Sequence, residues 1–247
     1  MVYTHLRPYG VFLAVTDMQV VILAGGLATR LGDLTEDCPK SLLKIQGKPF
    51  LEYQLELLRR AGIGDVVLCL GHLGEQIERY FGDGNKFGVS ICYSTEEKPL
   101  GTAGALRNAK DLLNDIFFCM YGDSYLFINF LEVMRYFESQ NKLALMTIFN
   151  NHNLFDKSNT AIEGNLVSRY DKHGKTGDMV YIDYGLSIFR KSTLDMVPSN
   201  QFYSLEDLFP RLIALQELLA YEVEERFYEI GSLQGFRDFS EYIKEAG

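Results

Sequence analysis

A glycine turn and two cations near the start of the chain have the residue types that polyphosphate binding requires. The β-rich run Gln19–Leu23 leads into Gly25-Gly26, where backbone N–H groups without side-chain obstruction can point at an anion. Arg30 then adds a planar guanidinium suited to bidentate phosphate contact, and Lys40 adds a mobile point charge. The spacing is neither that of a Walker A loop nor that of a dinucleotide-binding fingerprint. The segment predicts a polyphosphate site, the alternative being a glycine turn with surface cations.

Two carboxylates follow apolar runs further along the chain. Asp123 follows the run Ile116–Tyr121 after one glycine, and Glu229 comes after the run Leu219–Val223. In a doubly wound sheet both can converge on the edge formed by the carboxyl ends of the strands. Carboxylates brought together there repel each other unless a cation lies between them. Taken alone, Asp123 is explained as simply by capping the turn that follows its strand.

These residues must be positioned by an alternation of strands and helices that runs from Met18 to Phe149. Apolar runs of strand length alternate with stretches of helical spacing, such as the one that Pro49 opens and Gly62 ends. This rhythm predicts an α/β fold with a doubly wound, mostly parallel sheet, which binds ligands at the carboxyl ends of its strands.

The rhythm changes in the last third of the chain. Leu166–Tyr170 and Met179–Phe189 read as strands with no full helix between them, so a mixed or antiparallel edge is expected on that side. Ser204 and Asp207 have the spacing of a capping box that opens a helical segment, which Pro210 is expected to divide. We predict an N-terminal appendage over residues 1–17 and a single domain over residues 18–247.

The composition excludes several classes of protein. Asp and Glu number 33 against 24 Lys and Arg, giving a net charge of −9, whereas nucleic-acid-binding proteins usually carry a basic excess. No apolar run approaches the roughly 18 residues of a membrane span. The four cysteines form no C-x-x-C pair, and three of them lie in apolar runs, which favours buried, reduced thiols and a cytoplasmic protein. We therefore expect neither nucleic acid nor a membrane as a partner.

The run from Leu23 to Ile45 resembles the signature of the sugar-1-phosphate nucleotidyltransferases, also called NDP-sugar pyrophosphorylases: L-A-G-G-x-G-T-R-L followed by P-K-x-L. Further matches cover nearly the whole chain from Met18. They are Pro99–Gly104 for the second nucleotide loop, Tyr121-Gly122-Asp123 for the metal-bearing strand end, Asp171-Lys172 for the E-K pair, Asp183-Tyr184-Gly185 for the N-x-G acceptor strand and Tyr228–Gly231 for the C-terminal metal segment.

The resemblance implies a reaction in which an NTP and a sugar 1-phosphate give an NDP-sugar and pyrophosphate. It implies that Arg30 binds the phosphates that leave, that Lys40 neutralises charge near the α-phosphate, and that Asp123 and Glu229 hold Mg²⁺. The nucleotide-binding residues that it implies are Leu23, Ala24, Gly25, Gly26, Gly101, Thr102, Gly104, Tyr121 and Gly122. Those implied for the sugar phosphate are Asn159, Asp171, Lys172, Asp183 and Gly185.

Substrate choice is only partly indicated. Ala24-Gly25-Gly26 and Gly104 are similar to the guanylyltransferases for mannose- or heptose-type 1-phosphates, which favours GTP and a role in polysaccharide synthesis. A uridylyl- or cytidylyltransferase for an amino sugar, a polyol or choline is an alternative. A second alternative is a silent NDP-sugar-binding regulator, against which the retention of Arg30, Lys40, Asp123 and Glu229 argues. Association into a homodimer is left open.

Overall fold

The computed structural model describes residues 17–26, 31–32, 37–172 and 179–246 of the 247-residue chain. Apart from Asp17, the predicted appendage 1–17 lies outside the described residues, and so does Arg30. Within the described ranges, no helix is both long enough and apolar enough to cross a membrane.

The first part of the chain has the predicted alternation of strands and helices. Its elements are β1 (Gln19–Leu23), β2 (Lys44–Ile45), β3 (Lys48–Pro49), α1 (Phe50–Arg60), β4 (Asp65–Leu70), α2 (Gly74–Phe81), β5 (Ser90–Thr95), α3 (Gly101–Asn108), β6 (Ile116–Tyr121), β7 (Ser124–Tyr125), α4 (Phe130–Gln140) and β8 (Ala144–Asn150). α3 begins at Gly101, so the second glycine segment forms the first turn of this helix.

The second part is richer in strands. Its elements are β9 (Thr160–Glu163), β10 (Leu166–Tyr170), β11 (Tyr181–Arg190), α5 (Leu205–Ala214), β12 (Leu218–Val223), β13 (Tyr228–Glu229) and α6 (Leu233–Ala246). The capping box at the start of α5 is confirmed, since Ser204 and Asp207 bond reciprocally.

The expected division of α5 at Pro210 is wrong, because the helix runs through this residue without interruption. Pro210 removes one N–H bond, to the carbonyl of Glu206 in the first turn, and its ring lies on the exposed face. The opposite face stays buried through Leu205, Leu208 and Leu212, and this packing holds the helix together.

A nine-stranded sheet has the order β5-β4-β1-β6-β11-β8-β12-β10-β9. The pairs between β5, β4, β1 and β6 are parallel, as is the pair β8–β12. β11 is antiparallel to both of its neighbours, β6 and β8. The predicted mixed character is therefore confirmed, but one antiparallel strand lies in the interior of the sheet, while β10 and β9 form an antiparallel edge.

Helices cover both faces of the sheet. Val20 and Ile22 of β1 pack into one apolar cluster with α1, α2 and α4, and Val21, which points to the other face, packs into a second cluster with α3 and α5. α6 adds a third, aromatic cluster, in which the Phe239 ring lies 5.2 Å from Phe50 of α1 and 5.0 Å from Tyr125 of β7. This cluster supports the β7–β13 pair, which carries Glu229.

The described cysteines are all free thiols, as expected. Cys69 and Cys119 are buried in β4 and β6, and burial raises the pKa of Cys69 to about 12. Cys92 is exposed, contrary to the expectation, because it lies on β5, an edge strand whose outer face the helices cover incompletely.

Candidate active site

A cavity of about 910 Å³ lies at the carboxyl ends of β1, β4 and β6. This is the edge at which a doubly wound sheet is expected to bind ligands. Fifteen of the residues singled out from the sequence line it: Leu23, Ala24, Gly25, Gly26, Lys40, Gly101, Thr102, Tyr121, Gly122, Asp123, Asn159, Lys172, Asp183, Gly185 and Glu229.

The first glycine segment continues β1 into the cavity beside the end of β4. The Ala24 amide donates to the Cys69 carbonyl at 2.9 Å. A Cβ atom on Gly25 would lie 3.0 Å from the Gly71 nitrogen, so a larger residue would push the two strand ends apart. Glycine at this position therefore lets the backbone of residues 24–26 lie flat in the cavity wall.

The second glycine segment contributes to the cavity only at its start. Gly101 and Thr102 line the wall, and Gly101 has a φ of +73°, which favours glycine. Gly104 does not line the cavity: its amide donates to the Tyr203 carbonyl at 2.8 Å, and a Cβ atom there would meet the Gln201 carbonyl at 3.1 Å. Gly104 is thus buried against the segment 201–203, and its assignment to nucleotide binding stays a prediction.

Lys40 and Asp123 meet on the floor of the cavity. Lys40 opens a short 3-10 turn, and its Nζ lies 2.6 Å from Oδ2 of Asp123, which follows β6 after Gly122. Their side chains are 18% and 22% exposed, so solvent reaches the pair from the cavity side. A cation and an anion are thus held together at the point where the sequence predicted phosphate and metal contacts.

Glu229 is brought next to Asp123 by the backbone. The Ile230 amide donates to the Asp123 carbonyl at 2.9 Å, and Glu229 is in register with Ser124 in the β7–β13 pair. The Glu229 carboxylate accepts a bond from Ser232 Oγ at 2.6 Å and another from the Gly231 amide. These two bonds fix its direction while lone pairs on both oxygens remain.

The donor set of Asp123 and Glu229 fits a magnesium ion. Mg²⁺ in nucleotide enzymes is usually held by one or two carboxylates, with waters and substrate phosphates completing its shell. Among the residues that the structure describes, no group of three or more His, Cys, Asp and Glu side chains is arranged to hold a metal. Two carboxylates on adjacent backbones therefore fit Mg²⁺ better than a metal that needs a complete protein cage.

A buried carboxylate dominates the far end of the cavity. Asp183 accepts bonds from the Gly185 amide and from Tyr121 Oη, both at 3.0 Å, and its own amide donates to Asn159 Oδ1 at 2.9 Å. Burial raises the pKa of Asp183, and the hydrogen bonds and Lys172 partly oppose that rise. Burial also raises the pKa of Tyr121 well above its usual range, so the phenol stays protonated and donates.

The strand that carries Asp183 bends closely around β7. Gly185 has a φ of +94°, and a Cβ atom there would lie 2.9 Å from Ser124 Oγ. Both facts require glycine at this position. β11 and the turn 121–124, which carries Asp123, therefore lie in direct contact.

Lys172 lines the cavity, and its Nζ lies 2.9 Å from Oε1 of Glu206 at the start of α5. Asp171 is not among the lining residues, and its amide donates to the carbonyl of Asn159, which does line the cavity. The assignment of Asp171 to the sugar phosphate stays a prediction.

Three further carboxylates line the cavity and were not singled out from the sequence: Glu96, Glu97 and Asp156. Glu96 follows β5, and its Oε2 accepts from the Leu100 amide at 3.1 Å, while burial raises its pKa. Its position at a strand end was a usable signal, the same one that identified Asp123. Asp156 lies in the irregular segment between β8 and β9, where no motif distinguished it.

The family model that matches this chain and the two relatives described here are all nucleotidyltransferases. The family model described as "Nucleotidyl transferase" matches residues 19–158. A D-glycero-alpha-D-manno-heptose 1-phosphate guanylyltransferase from Campylobacter jejuni is 29% identical over 222 residues, covering 90% of this chain and 98% of the relative. A UTP–glucose-1-phosphate uridylyltransferase from Synechocystis is 32% identical over 79% of this chain, which spans 55% of that relative's length.

Among solved structures, that of HddC from Yersinia pseudotuberculosis has a TM-score of 0.79 at 26% identity, covering 92% of this chain and 99% of the other. The same protein has also been solved in complex with GMP-PN.

Proposed function

The chain belongs to the nucleotidyl transferase family, and from that premise we propose that it joins an NTP to a sugar 1-phosphate and releases pyrophosphate. The observation that carries this proposal is the convergence of Lys40, Asp123 and Glu229 on one cavity at the carboxyl edge of the sheet. In the proposed reaction a phosphate oxygen of the acceptor attacks the α-phosphorus of the NTP. The bond from that phosphorus to the β-bridging oxygen breaks, and pyrophosphate leaves.

This reaction needs no protein nucleophile, because the attacking oxygen is already an anion. Positioning and charge neutralisation supply the rate enhancement. Lys40 neutralises charge at the α-phosphate, and Arg30 binds the leaving phosphates through its planar fork. The backbone of Leu23–Gly26 holds the nucleoside.

The charge of the cavity supports a requirement for a divalent cation. Its described lining has three lysines, Lys40, Lys98 and Lys172, and six carboxylates, Glu96, Glu97, Asp123, Asp156, Asp183 and Glu229. A triphosphate would be repelled by this excess of negative charge. Mg²⁺ bound by Asp123 and Glu229 would offset that charge and polarise the reacting phosphate.

Glu96 supports GTP as the nucleotide. Its carboxylate lies at the wall formed by the ends of β4 and β5. It packs against Gly71, which follows β4: a Cβ atom added to this glycine would lie 2.9 Å from Glu96 Oε1. The pairing edge of guanine presents two adjacent N–H donors, which a carboxylate can accept together. Uracil presents one N–H flanked by two carbonyl oxygens, which a carboxylate would repel.

The acceptor end supports a hexose- or heptose-type 1-phosphate, with mannose- or heptose-type preferred. Asn159, Asp183 and Gly185 face the sugar, and Lys172 binds its phosphate. A relative that covers 90% of this chain and 98% of its own length is named as a heptose 1-phosphate guanylyltransferase. The proposed product is a cytoplasmic precursor for polysaccharide or glycoconjugate synthesis.

A matrix of substrates tests the proposal directly. GTP, UTP, CTP, ATP and dTTP are each combined with 1-phosphates of mannose, a heptose, glucose and glucosamine, and pyrophosphate release is measured with and without EDTA. We expect the highest turnover with GTP and a mannose- or heptose-type acceptor, and none with EDTA. Turnover in EDTA would contradict the metal assignment, and turnover only with UTP or CTP would favour the alternative enzymes.

The base assignment has its own test, with a neighbouring residue as control. Glu96→Gln removes one acceptor and the charge, so kcat/KM for GTP should fall about 10- to 100-fold, since bonds to a charged group contribute about 1.5–3 kcal/mol. Activity with UTP should not fall. Glu97→Gln, which changes an exposed carboxylate of the same cavity rim, should leave the GTP preference intact. Equal effects of both changes on both nucleotides would remove the support for guanine recognition.

A further inference from the structure

Gln54 is a polar side chain in the apolar interior of α1. It is fully buried, and its helix neighbours Phe50, Leu51, Leu55 and Leu58 are all core residues. Buried amides are almost always hydrogen-bonded, so the partners of this side chain reveal what it does.

Both N–H groups of the Gln54 amide donate to backbone carbonyls of one turn. Nε2 lies 2.9 Å from the Tyr121 carbonyl and 2.8 Å from the Ser124 carbonyl. Because both partners are acceptors, the amide orientation is fixed: a flipped amide would place Oε1 against two carbonyl oxygens.

The side-chain carbonyl oxygen of Gln54 forms no hydrogen bond with the turn. Oε1 is buried and has no hydrogen-bond partner among the residues that the structure describes. An unpaired buried acceptor destabilises the fold, and an apolar side chain of the same size would avoid that cost. The contribution of a glutamine here therefore lies in its two donated bonds.

The turn that these bonds clamp is the one that carries Asp123. Tyr121 ends β6, Ser124 begins β7, and Asp123 lies between the two clamped carbonyls. Backbone bonds tie the same turn to β1, from the Gly122 amide to the Leu23 carbonyl, and to the β13 segment, from the Ile230 amide to the Asp123 carbonyl. Gln54 adds the tie to α1, and it is made by a side chain.

We infer that Gln54 is a positioning residue for the Asp123 carboxylate. By holding the carbonyls of residues 121 and 124 together, it fixes the backbone of the turn and hence the direction in which Asp123 meets Lys40 and faces Glu229. The inference deepens the proposed function, on which it rests for the role of Asp123, and it requires no contact between Gln54 and substrate.

The chain offers a matched control in Gln19, a second buried glutamine with a bridging role. Gln19 is 3% exposed, and its Nε2 donates to Asp65 Oδ2 and to the Leu112 carbonyl at 3.0 and 3.1 Å. It lies at the first residue of β1, at the opposite end of the strand from the cavity. Gln54→Met and Gln19→Met both preserve side-chain length and remove two donated bonds. Gln19→Met also removes the bond that Gln19 Oε1 accepts from the Asn114 amide at 2.8 Å, so the control should destabilise the fold at least as much as Gln54→Met.

Two measurements separate positioning from simple support of the fold. The first is kcat at saturating substrates, and the second is the dissociation constant of Mn²⁺ for the enzyme alone, read from the electron paramagnetic resonance signal of free Mn²⁺. We expect both variants to melt at lower temperature. Only Gln54→Met should lose about tenfold or more in kcat and in Mn²⁺ affinity, the range found when outer supports of metal ligands are removed.

Equal, small losses in both variants, with wild-type Mn²⁺ affinity, would overturn the inference. If Gln54→Met does not fold, Gln54→Asn takes its place: it keeps the amide, but its shorter side chain cannot reach both carbonyls, and the same losses are expected. A wild-type protein that releases no pyrophosphate would refute the proposed function, whereas the Mn²⁺ measurement would still test the clamp.

Discussion

Lys40 and Asp123 neutralise each other on the cavity floor, where their charged atoms lie 2.6 Å apart. Such a solvent-accessible pair contributes little to stability, commonly about 0–1 kcal/mol. The pair is therefore better explained by what both groups do to a bound phosphate than by the fold. Lys48 and Glu56 form a comparable pair, 2.8 Å apart, away from the cavity.

The two lysines allow a paired prediction. Lys40→Ala should lower kcat by at least about 10-fold, equivalent to about 1.4 kcal/mol of transition-state stabilisation, because it removes the charge beside the reacting phosphorus. Lys48→Ala should leave turnover within about twofold, and both variants should melt within a few degrees of the wild type. Pyrophosphate release and thermal melting measure the two effects. Wild-type kinetics in Lys40→Ala would show that Lys40 is only a surface cation.

Asp183 predicts a pH-dependent change in stability. Its pKa is raised by burial, so folding favours its protonated form, and ionisation destabilises the fold as the pH rises through the folded pKa. The cost therefore grows as the pH rises above the usual range of an aspartate. Asp183→Asn removes it while keeping an acceptor for the Gly185 amide, so the variant should melt at higher temperature than the wild type at pH 7.

The difference in melting temperature should shrink as the pH falls towards about 4, near the pKa of an unfolded aspartate, where the wild-type carboxyl is protonated as well. Thermal melts at half-unit pH intervals measure this trend. A difference that is constant across the series, or that has the opposite sign, would contradict it.

At the scale of elements, local patterns identified most strands and helices, and the failures have local causes. The strand β1, the helix α1 and the capping box of α5 were all readable, because apolar periodicity and end signals agreed there. The short strand β9 was missed, since Thr160–Glu163 has one alternation at most and depends on its partner β10. Where β11 inserts in the sheet is a long-range choice that no local pattern encodes.

The same distinction applies to the site. Motif residues at strand ends, such as Asp123 and Gly25, were identified because their neighbours in sequence form the pattern. Gln54 was not, because its role depends on a turn 67 residues away in sequence. Gly104 and Asp171 are sequence neighbours of the lining residues Ala105 and Lys172 but are not themselves part of the lining, which residue type alone does not reveal.

The N-terminal cap of α5 allows a prediction at the scale of a single helix. Ser204→Ala removes the hydroxyl that bonds the Asp207 amide and carboxylate, so the free energy of unfolding should fall by about 1 kcal/mol, or about 2–4 °C in melting temperature. Ser139→Ala on α4, where the exposed hydroxyl donates to the Tyr136 carbonyl and accepts from Gln140 Nε2 but caps no helix end, should be nearly neutral.

The effect of Ser204→Ala should also depend on pH. Bonds from Ser204 lower the pKa of Asp207, so their contribution is present above the pKa of an unfolded aspartate and is lost as the pH falls through the folded value. Melts of both proteins at pH 7 and pH 3 check the sign, and a larger difference at pH 3 would refute it.

At the scale of the whole molecule, the match to the nucleotidyl transferase family begins at the same residue as the first core strand. That residue is Gln19, the first residue of β1. The division of the chain into an appendage over residues 1–17 and a single domain over residues 18–247 stays a prediction. Part of the net charge of −9 lies at the cavity, whose described lining has six carboxylates and three lysines.

Deletion of residues 1–17 should therefore leave kcat/KM within about twofold of the full chain, since no part of the proposed chemistry is assigned to them. Pyrophosphate release by the two proteins, each shown to be folded by its melting curve, makes the comparison. A truncated protein that folds but loses most of its turnover would place the segment in the site or in a contact between subunits.

The interior position of β11 has a mechanical consequence. β6 and β11 run side by side through five register pairs, from Ile116–Arg190 to Met120–Leu186, and their adjoining ends carry Asp123 and Asp183. The strands that carry the two ends of the cavity are thus joined by one hydrogen-bonded ladder, and Asp123 and Asp183 each lie three residues beyond its last pair. In the proposed reaction, the ladder fixes the spacing of the two strands, and any adjustment of Asp123 or Asp183 during the catalytic cycle falls to the short segments beyond it.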